Sequence, residues 1–217
     1  MANYYGTPAI VTDGLVFAVD PGNDQSYVSG SLDTFSLVGS QTGSLENSIG
    51  WSPNNQGSWE FDGGDDNINF GLGSSFLPSA PFTVDIWVRQ DDNDTCFFYS
   101  CNTPSMMTYY SVDKLYFDGG AGDDGQYITF IRDTNWRNII WVNPATSGAD
   151  DDSYYIDGVS VASVAAGGVS SQGDFLLGGR YSGLMLGGAI GNVKIYNKAL
   201  TAAEALQNYN ATKNRFI

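Results

Sequence analysis

The feature that most constrains the fold of this sequence is a pair of apolar runs separated by a turn rich in glycine and aspartate. Residues 57–68 read GSWEFDGGDDNI, and residues 82–89 read FTVDIWVR, in which apolar and polar side chains alternate strictly. A period of two places Phe82, Val84 and Ile86 on one face of a strand and the intervening side chains on the other. This pattern is typical of an antiparallel sheet with one buried face.

Further apolar runs recur about every ten residues, with turn residues between them. They predict strands at 14–20, 97–100, 115–118, 127–131, 138–142, 154–156, 159–161, 175–177 and 192–196. Residues 29–55 are expected to form a long loop with short edge strands. The Asp157-Gly158 pair predicts a type I′ hairpin, because both residues accept positive φ angles. Thr201 and Glu204 match a capping box and predict a short helix that ends near Asn208.

The C-terminal run at 188–209, GAIGNVKIYNKALTAAEALQNY, closely resembles the closing strand and helix of laminin-G-like, concanavalin A-like jelly rolls. The LLGGRY run at 176–181 also lies where that family has it, and the likeness extends from Gly14 to Phe216. The fold class expected is therefore all-β, a two-sheet antiparallel jelly-roll sandwich with one short C-terminal helix. A length of 217 residues suits one such domain.

The domain is expected at residues 14–217, preceded by an N-terminal arm at residues 1–13. The stretch at 8–16, PAIVTDGLV, resembles the start of laminin-G-like structural proteins in the virions of tailed phages, notably those of cyanobacteria. That resemblance implies a virion protein that folds in the host cytoplasm, with the arm ordering on other virion proteins. Assembly as a homo-oligomer is a further expectation. The N-terminus has neither the basic start nor the apolar block of a secretory signal, so we expect no signal peptide.

Charge and composition disfavour several functions. A net charge of −15 without adjacent basic residues argues against nucleic-acid binding. The longest apolar stretch, Leu15–Val19, is far shorter than the roughly 20 residues of a membrane helix, so no membrane insertion is expected. The absence of histidine removes Ser-His-Asp and Cys-His catalytic sites and the usual zinc sites.

Glycoside cleavage would still be open to a pair of carboxylates. Glu60 and Asp62 are the candidates, since residues two apart on a strand share a face. The alternative is that Glu60 is solvated and Asp62 caps a turn, and we expect no enzymatic activity. Cys96 and Cys101 would lie on opposite faces of one strand, which predicts two free thiols instead of a disulfide.

Consecutive aspartates offer the oxygen ligands that calcium prefers. The leading metal candidate is the group formed by Asp62, Asp65 and Asp66, and the alternative is a charged, solvated turn. Jelly rolls of this family usually carry an acidic pair before the last strand. Here that pair is replaced by Gly191-Asn192, which argues against a metal site of that kind.

A sugar site needs an aromatic face with a few polar groups beside it. Trp87 shares its strand face with Asp85 and Arg89. The predicted glycan-binding residues are Trp87, Asp85, Arg89, Trp136 and Tyr181. In the alternative interpretation Trp87 fills a secondary core under the loop at 29–55. Trp51 is another candidate platform.

The sequence thus predicts a non-catalytic, lectin-like virion-surface protein of a tailed phage, which decorates a head or tail and binds cell-surface glycan. A purely structural virion subunit without a ligand is the alternative. A glycoside hydrolase is the third hypothesis.

Overall fold

The structure of the protein is a computed structural model. It describes residues 9–102, 104–108, 113–118, 126–130, 132–144, 151–165, 172–180 and 183–217. The described residues form sixteen strands and one α-helix. In chain order these are β1 (Leu15–Val19), β2 (Asp33–Phe35), β3 (Thr42–Glu46), β4 (Gly50–Ser52), β5 (Ser58–Asp62), β6 (Asn67–Leu72), β7 (Phe82–Gln90), β8 (Cys96–Asn102), β9 (Ser105–Thr108), β10 (Lys114–Asp118), β11 (Gln126–Thr129), β12 (Arg137–Asn143), β13 (Asp151–Ile156), β14 (Val159–Ala165), β15 (Gln172–Leu177), β16 (Gly187–Tyr196) and α1 (Ala202–Thr212). Short 3-10 segments lie at Asn54–Gln56, Gly73–Ser75 and Lys213–Arg215.

The strands make two sheets of eight. The first has the order β14-β13-β12-β7-β16-β5-β4, with β1 also paired to β16, and the second has the order β11-β10-β9-β8-β15-β6-β3-β2. All pairings between described strands are antiparallel. The expected all-β sandwich with one short C-terminal helix is confirmed.

The core lies between the two sheets. Phe82, Val84, Ile86 and Val88 of β7 point into it and are almost completely buried, as the alternation predicted. Aromatic rings fill much of the remaining space, because two facing sheets leave a layer that large side chains span. The stacked rings of Phe17 and Phe76, 4.9 Å apart, are one such contact.

Local turn and capping signals are confirmed. Asp157 and Gly158 have φ angles of 51° and 76°, the left-handed pair that a type I′ hairpin requires. Thr201 and Glu204 exchange both capping-box hydrogen bonds. The helix continues past the predicted end at Asn208 to Thr212, because its last turn packs on the first sheet.

The two cysteines are free, as predicted, and both are buried, but the expectation that they lie on opposite faces is wrong. Both thiols belong to the core between the sheets. The pairing of β8 with β9 shifts register between Phe97 and Tyr99. Such a bulge adds one residue to the alternation, so side chains five positions apart reach the same side.

Part of the expected N-terminal arm is docked on the domain. Residues 1–8 lie outside the described residues, whereas Val11 is buried against α1 and its amide donates to Asn208 Oδ1 at 2.8 Å. The Val11 carbonyl accepts a hydrogen bond from the Tyr196 hydroxyl at 3.1 Å. The boundary predicted at residue 13 therefore falls inside a packed segment. Within the described part of the chain, no helix has the length and apolar character needed to cross a membrane.

Candidate functional site

The structure brings together four of the five predicted glycan-binding residues, on the outer face of the first sheet. Asp85, Trp87 and Arg89 follow one another on that face of β7, and Trp136 lies beside them. Tyr181 lies outside the described residues. The alternation correctly predicted that Asp85, Trp87 and Arg89 share one face of β7. That face, however, is covered by the C-terminal segment.

Trp87 is completely buried by this cover. Its indole stacks on Phe216 at 4.5 Å and on Tyr209 at 5.9 Å, and its Nε1 donates to Thr212 Oγ1 at 2.8 Å. Phe216 fits because residue 191 is glycine, where a Cβ would lie 2.4 Å from the Phe216 ring. Trp87 thus fills a secondary core, and the segment above it is the C-terminal helix and tail instead of the loop at 29–55.

Asp85 is also completely buried, and its carboxylate is occupied within the protein. Oδ1 accepts a hydrogen bond from Asn138 at 2.8 Å, and Oδ2 accepts one from Asn208 at 2.9 Å. The buried ammonium of Lys194 lies 3.4 Å from the same Oδ2. A buried charge needs such partners. Through its bond to Asn208, Asp85 connects α1 to the first sheet, and it offers no accessible oxygen to a sugar.

Arg89 and Trp136 complete this covered cluster. Arg89 forms ion pairs with Glu60 at 3.0 Å and with Asp91 at 2.7 Å, and its guanidinium lies over the Trp136 ring at 5.4 Å. Trp136 also packs against Phe216, at 4.8 Å between ring centroids. The rings of Trp87 and Trp136, which were expected to bind sugar, are in contact with protein instead.

The carboxylates considered for glycoside cleavage have other partners. Glu60 accepts a hydrogen bond from Ser58 at 2.6 Å through one oxygen and pairs with Arg89 through the other. Asp62 accepts a hydrogen bond from the Gly64 amide at 2.7 Å and is exposed at the end of β5. Its carboxylate lies near those of Asp65 and Asp66, so the three residues of the predicted metal group do converge.

An open groove lies elsewhere, between the turn after β1 and the end of β4. Its volume is about 370 Å³, which is in the range of small-molecule sites. The groove is lined by Pro21, Gly22, Asp24, Tyr27, Val28, Ser29, Trp51, Pro53 and Gln56. It therefore combines a half-buried indole and apolar side chains with the carboxylate of Asp24, the amide of Gln56 and the hydroxyls of Tyr27 and Ser29.

Trp51 is held in a defined position within this groove. The indole Nε1 donates to the Pro21 carbonyl at 3.1 Å, and β4 pairs Trp51 with Trp59 of β5. Tyr27 lies buried beneath, edge-on to Trp59 at 5.8 Å. The platform rests on the main core, so a bound ring would meet a surface that is already ordered.

The floor of the groove depends on a close approach of two backbone segments. A Cβ at Gly22 would lie 1.9 Å from the Gln56 carbonyl oxygen, and one at Gly57 would lie 2.6 Å from the Pro21 carbonyl oxygen. Asn55 and Gln56 both have positive φ angles, 54° and 59°. Non-glycine residues in this conformation are uncommon and cluster at functional sites.

Arg215 braces this floor from the C-terminal tail. Its guanidinium donates to the carbonyls of Asn55 and Gly57 and forms an ion pair with Asp20 at 2.7 Å. In return, Asn55 Nδ2 donates to the Arg215 carbonyl at 2.8 Å. The groove is thus assembled from three distant parts of the chain. Trp51 was identified from the sequence as a candidate, but the polar residues around it carried no signal beyond that of ordinary turns.

The family of the protein follows from this fold and from its sequence. Residues 62–205 match the model of the concanavalin A-like lectin/glucanases superfamily, of the laminin-G type. The chain therefore belongs to this superfamily. No curated protein sequence matches the chain.

Several solved structures have the same fold. The sialidase of Trypanosoma rangeli in complex with sialic acid superposes with a TM-score of 0.72 at 14% identity, over 95% of this chain and 34% of the sialidase. Domain 4 of AbnA, an extracellular GH43 arabinanase of Geobacillus stearothermophilus, in complex with arabinotriose, gives 0.69 at 16% identity, over 90% and 98%. The binding domain of botulinum neurotoxin DC, in complex with rat synaptotagmin II, gives 0.69 at 12% identity, over 92% and 52%. The chain spans about a third of the sialidase, and at these identities the likeness concerns the fold alone.

Proposed function

We propose that the protein is a non-catalytic glycan-binding protein whose ligand occupies the groove beside Trp51. The observation that carries this proposal is the fixed, half-buried indole of Trp51 in an open groove with Asp24, Ser29 and Gln56. A pyranose ring presents an apolar face that stacks on an indole and hydroxyls that pair with carboxylate and amide groups. Such a platform costs little to order on binding, because its parts are already braced.

The composition of the groove supports binding without cleavage. Among the lining residues, all of which are described, Asp24 is the sole carboxylate. Glycoside hydrolysis of the usual kind needs a second acid on the other side of the bond. The groove therefore suits recognition of a sugar better than its hydrolysis.

We further propose that this binding serves a virion-surface protein of a tailed phage, which decorates a head or tail and attaches to cell-surface glycan. The support is the resemblance of residues 8–16 to the start of such proteins. Folding in the host cytoplasm and contacts of the N-terminal residues with other virion proteins belong to the same proposal. A purely structural subunit would have the fold and no ligand.

The test is a glycan array screened with the full chain, followed by calorimetry on the oligosaccharide that binds best. Trp51→Ala should weaken binding about 30-fold, the ~2 kcal/mol of an aromatic residue at the centre of a contact. The control is Tyr127→Ala on β11, which removes a half-exposed aromatic side chain at the far edge of the second sheet.

If Trp51→Ala binds the oligosaccharide as tightly as the wild type, the sugar site does not lie in the groove. A blank array at high protein concentration would favour the structural subunit. Sugar release from the bound oligosaccharide would overturn the non-catalytic assignment.

A further inference from the structure

We propose that Asp62, Asp65 and Asp66 form a calcium site at the turn between β5 and β6. This inference goes beyond the proposed glycan-binding function and does not depend on it. Among the described residues, this is the only place where three side chains of the kinds that bind metals converge.

The separation of the ligand atoms fits a single ion. One carboxylate oxygen from each residue lies within 4.8 Å of the other two. Two oxygens that both bind calcium at about 2.3 to 2.6 Å are at most about 5 Å apart. One ion therefore fits among all three carboxylates, and water would complete its coordination from the exposed side of Asp62 and Asp65.

A second observation points to a ligand at the same place. Asp66 is only 3% exposed, and its Oδ2 accepts the Asp62 amide at 3.1 Å. Its other oxygen, Oδ1, is buried and has no hydrogen-bond partner. An anionic oxygen in that state is costly, and buried polar atoms normally find a partner. A cation bound to the cluster would supply one.

The charge around the cluster leads to the same conclusion. In the described part of the chain, the ion pairs of lysine and arginine involve other acids and none of these three. The Asp62 and Asp65 carboxylates lie close to that of Asp66 and repel it. Three mutually repelling carboxylates without a counter-charge favour a divalent cation.

The cluster is separate from the groove. Asp62 ends β5, whereas Trp51 and Ser52 pair with Trp59 and Ser58 near its start. Trp59 and Asp62 are three residues apart, which is about 10 Å along a strand at ~3.3 Å per residue. The ion would therefore hold the turn between β5 and β6 in place and would not contact a sugar beside Trp51.

The experiment is calorimetric titration of the chelator-treated full chain with calcium chloride, together with thermal unfolding in calcium, in magnesium and in chelator. We expect saturable calcium binding and a higher melting temperature in calcium. Asp65→Asn should weaken calcium binding at least tenfold, since its side chain is exposed and the change removes a ligand without disturbing packing. The control is Asp113→Asn, an exposed aspartate outside the cluster, which should bind calcium like the wild type.

Asp66→Asn gives a second, opposite readout. It should abolish the calcium response, yet in chelator it should melt at or above the wild-type temperature, because it removes a buried and repelled charge. The proposal is overturned if calcium produces neither heat nor a thermal shift, or if Asp65→Asn and Asp66→Asn respond to calcium like the wild type. Glycan binding measured in calcium and in chelator separates the two proposals, because the groove should bind equally in both.

Discussion

The Arg215 guanidinium lies 2.7 Å from the Asp20 carboxylate, although 195 residues separate them in the chain. This pair joins the C-terminal tail to the turn after β1, where the groove begins. The same guanidinium also donates to backbone carbonyls on the opposite side of the groove floor. The end of the chain therefore helps to shape the candidate site.

Replacing this arginine should damage both stability and binding. Arg215→Ala removes the donor to Asp20 Oδ2 and to the carbonyls of Asn55 and Gly57, and should lower the free energy of unfolding by about 2 kcal/mol. Urea denaturation measures this loss, and calorimetry should show weaker glycan binding. Asn214→Ala, at an exposed neighbouring position, should match the wild type in both assays. If folded Arg215→Ala binds glycan as tightly as the wild type, the C-terminal tail does not contribute to the binding site.

Removing the ring that covers Trp87 and Trp136 should destabilise the outer face of the first sheet. Phe216 is 6% exposed, stacks on the Trp87 indole and packs against that of Trp136, so Phe216→Ala should cost about 3 kcal/mol. Tryptophan fluorescence should shift to longer wavelength as water reaches the indoles. The control is Ile217→Ala, which changes a side chain that is 66% exposed and should stay within about 0.5 kcal/mol. An unchanged emission maximum in Phe216→Ala would contradict the covering role.

The start of α1 should respond to pH through Glu204. A hydrogen bond from Lys198 and bonds from Thr201 lower the pKa of Glu204. A lowered folded-state pKa means that the ionised carboxylate stabilises the fold above its unfolded pKa, and that this contribution disappears as pH falls through the folded value. Glu204→Gln should thus be less stable than wild type at neutral pH and approach it in acid.

Denaturation across a pH series measures this difference. Glu46→Gln on β3 serves as the charge-matched control and should run parallel to the wild type. A stability gap for Glu204→Gln that persists unchanged into strong acid would contradict the capping role of the ionised carboxylate.

The two thiols should be inert in the native protein. Burial raises the pKa of Cys96 to about 12 and that of Cys101 to about 11, so both stay protonated at mildly alkaline pH. Ellman's reagent should label neither in the native state and both after unfolding in urea. Rapid labelling of a native thiol would show that the core near β8 opens.

Much of the fold could be predicted from the sequence because its signals are local. Alternation over 82–89 identified which side chains of β7 face the core, and the hairpin and capping-box residues acted within four positions of each other. The strand β9 was missed, since its sequence SMMT shows no alternation and is ordered by its pairing with β8 and β10. The sequence did not show that Cys101 lies on the same side as Cys96, because no residue pattern indicates the bulge between Phe97 and Tyr99.

The candidate sites divide in the same way. The sequence by itself determined the β-sandwich and placed Asp62, Asp65 and Asp66 together, because those residues share one short turn. Only the tertiary structure decided that the outer face of β7 is covered and that an open groove lies beside Trp51. The cover over Trp87 comes from Thr212 and Phe216, and the groove floor depends on Arg215. Contacts between residues more than a hundred positions apart are set by how the sheets and the C-terminal segment pack, and local patterns carry no record of that packing.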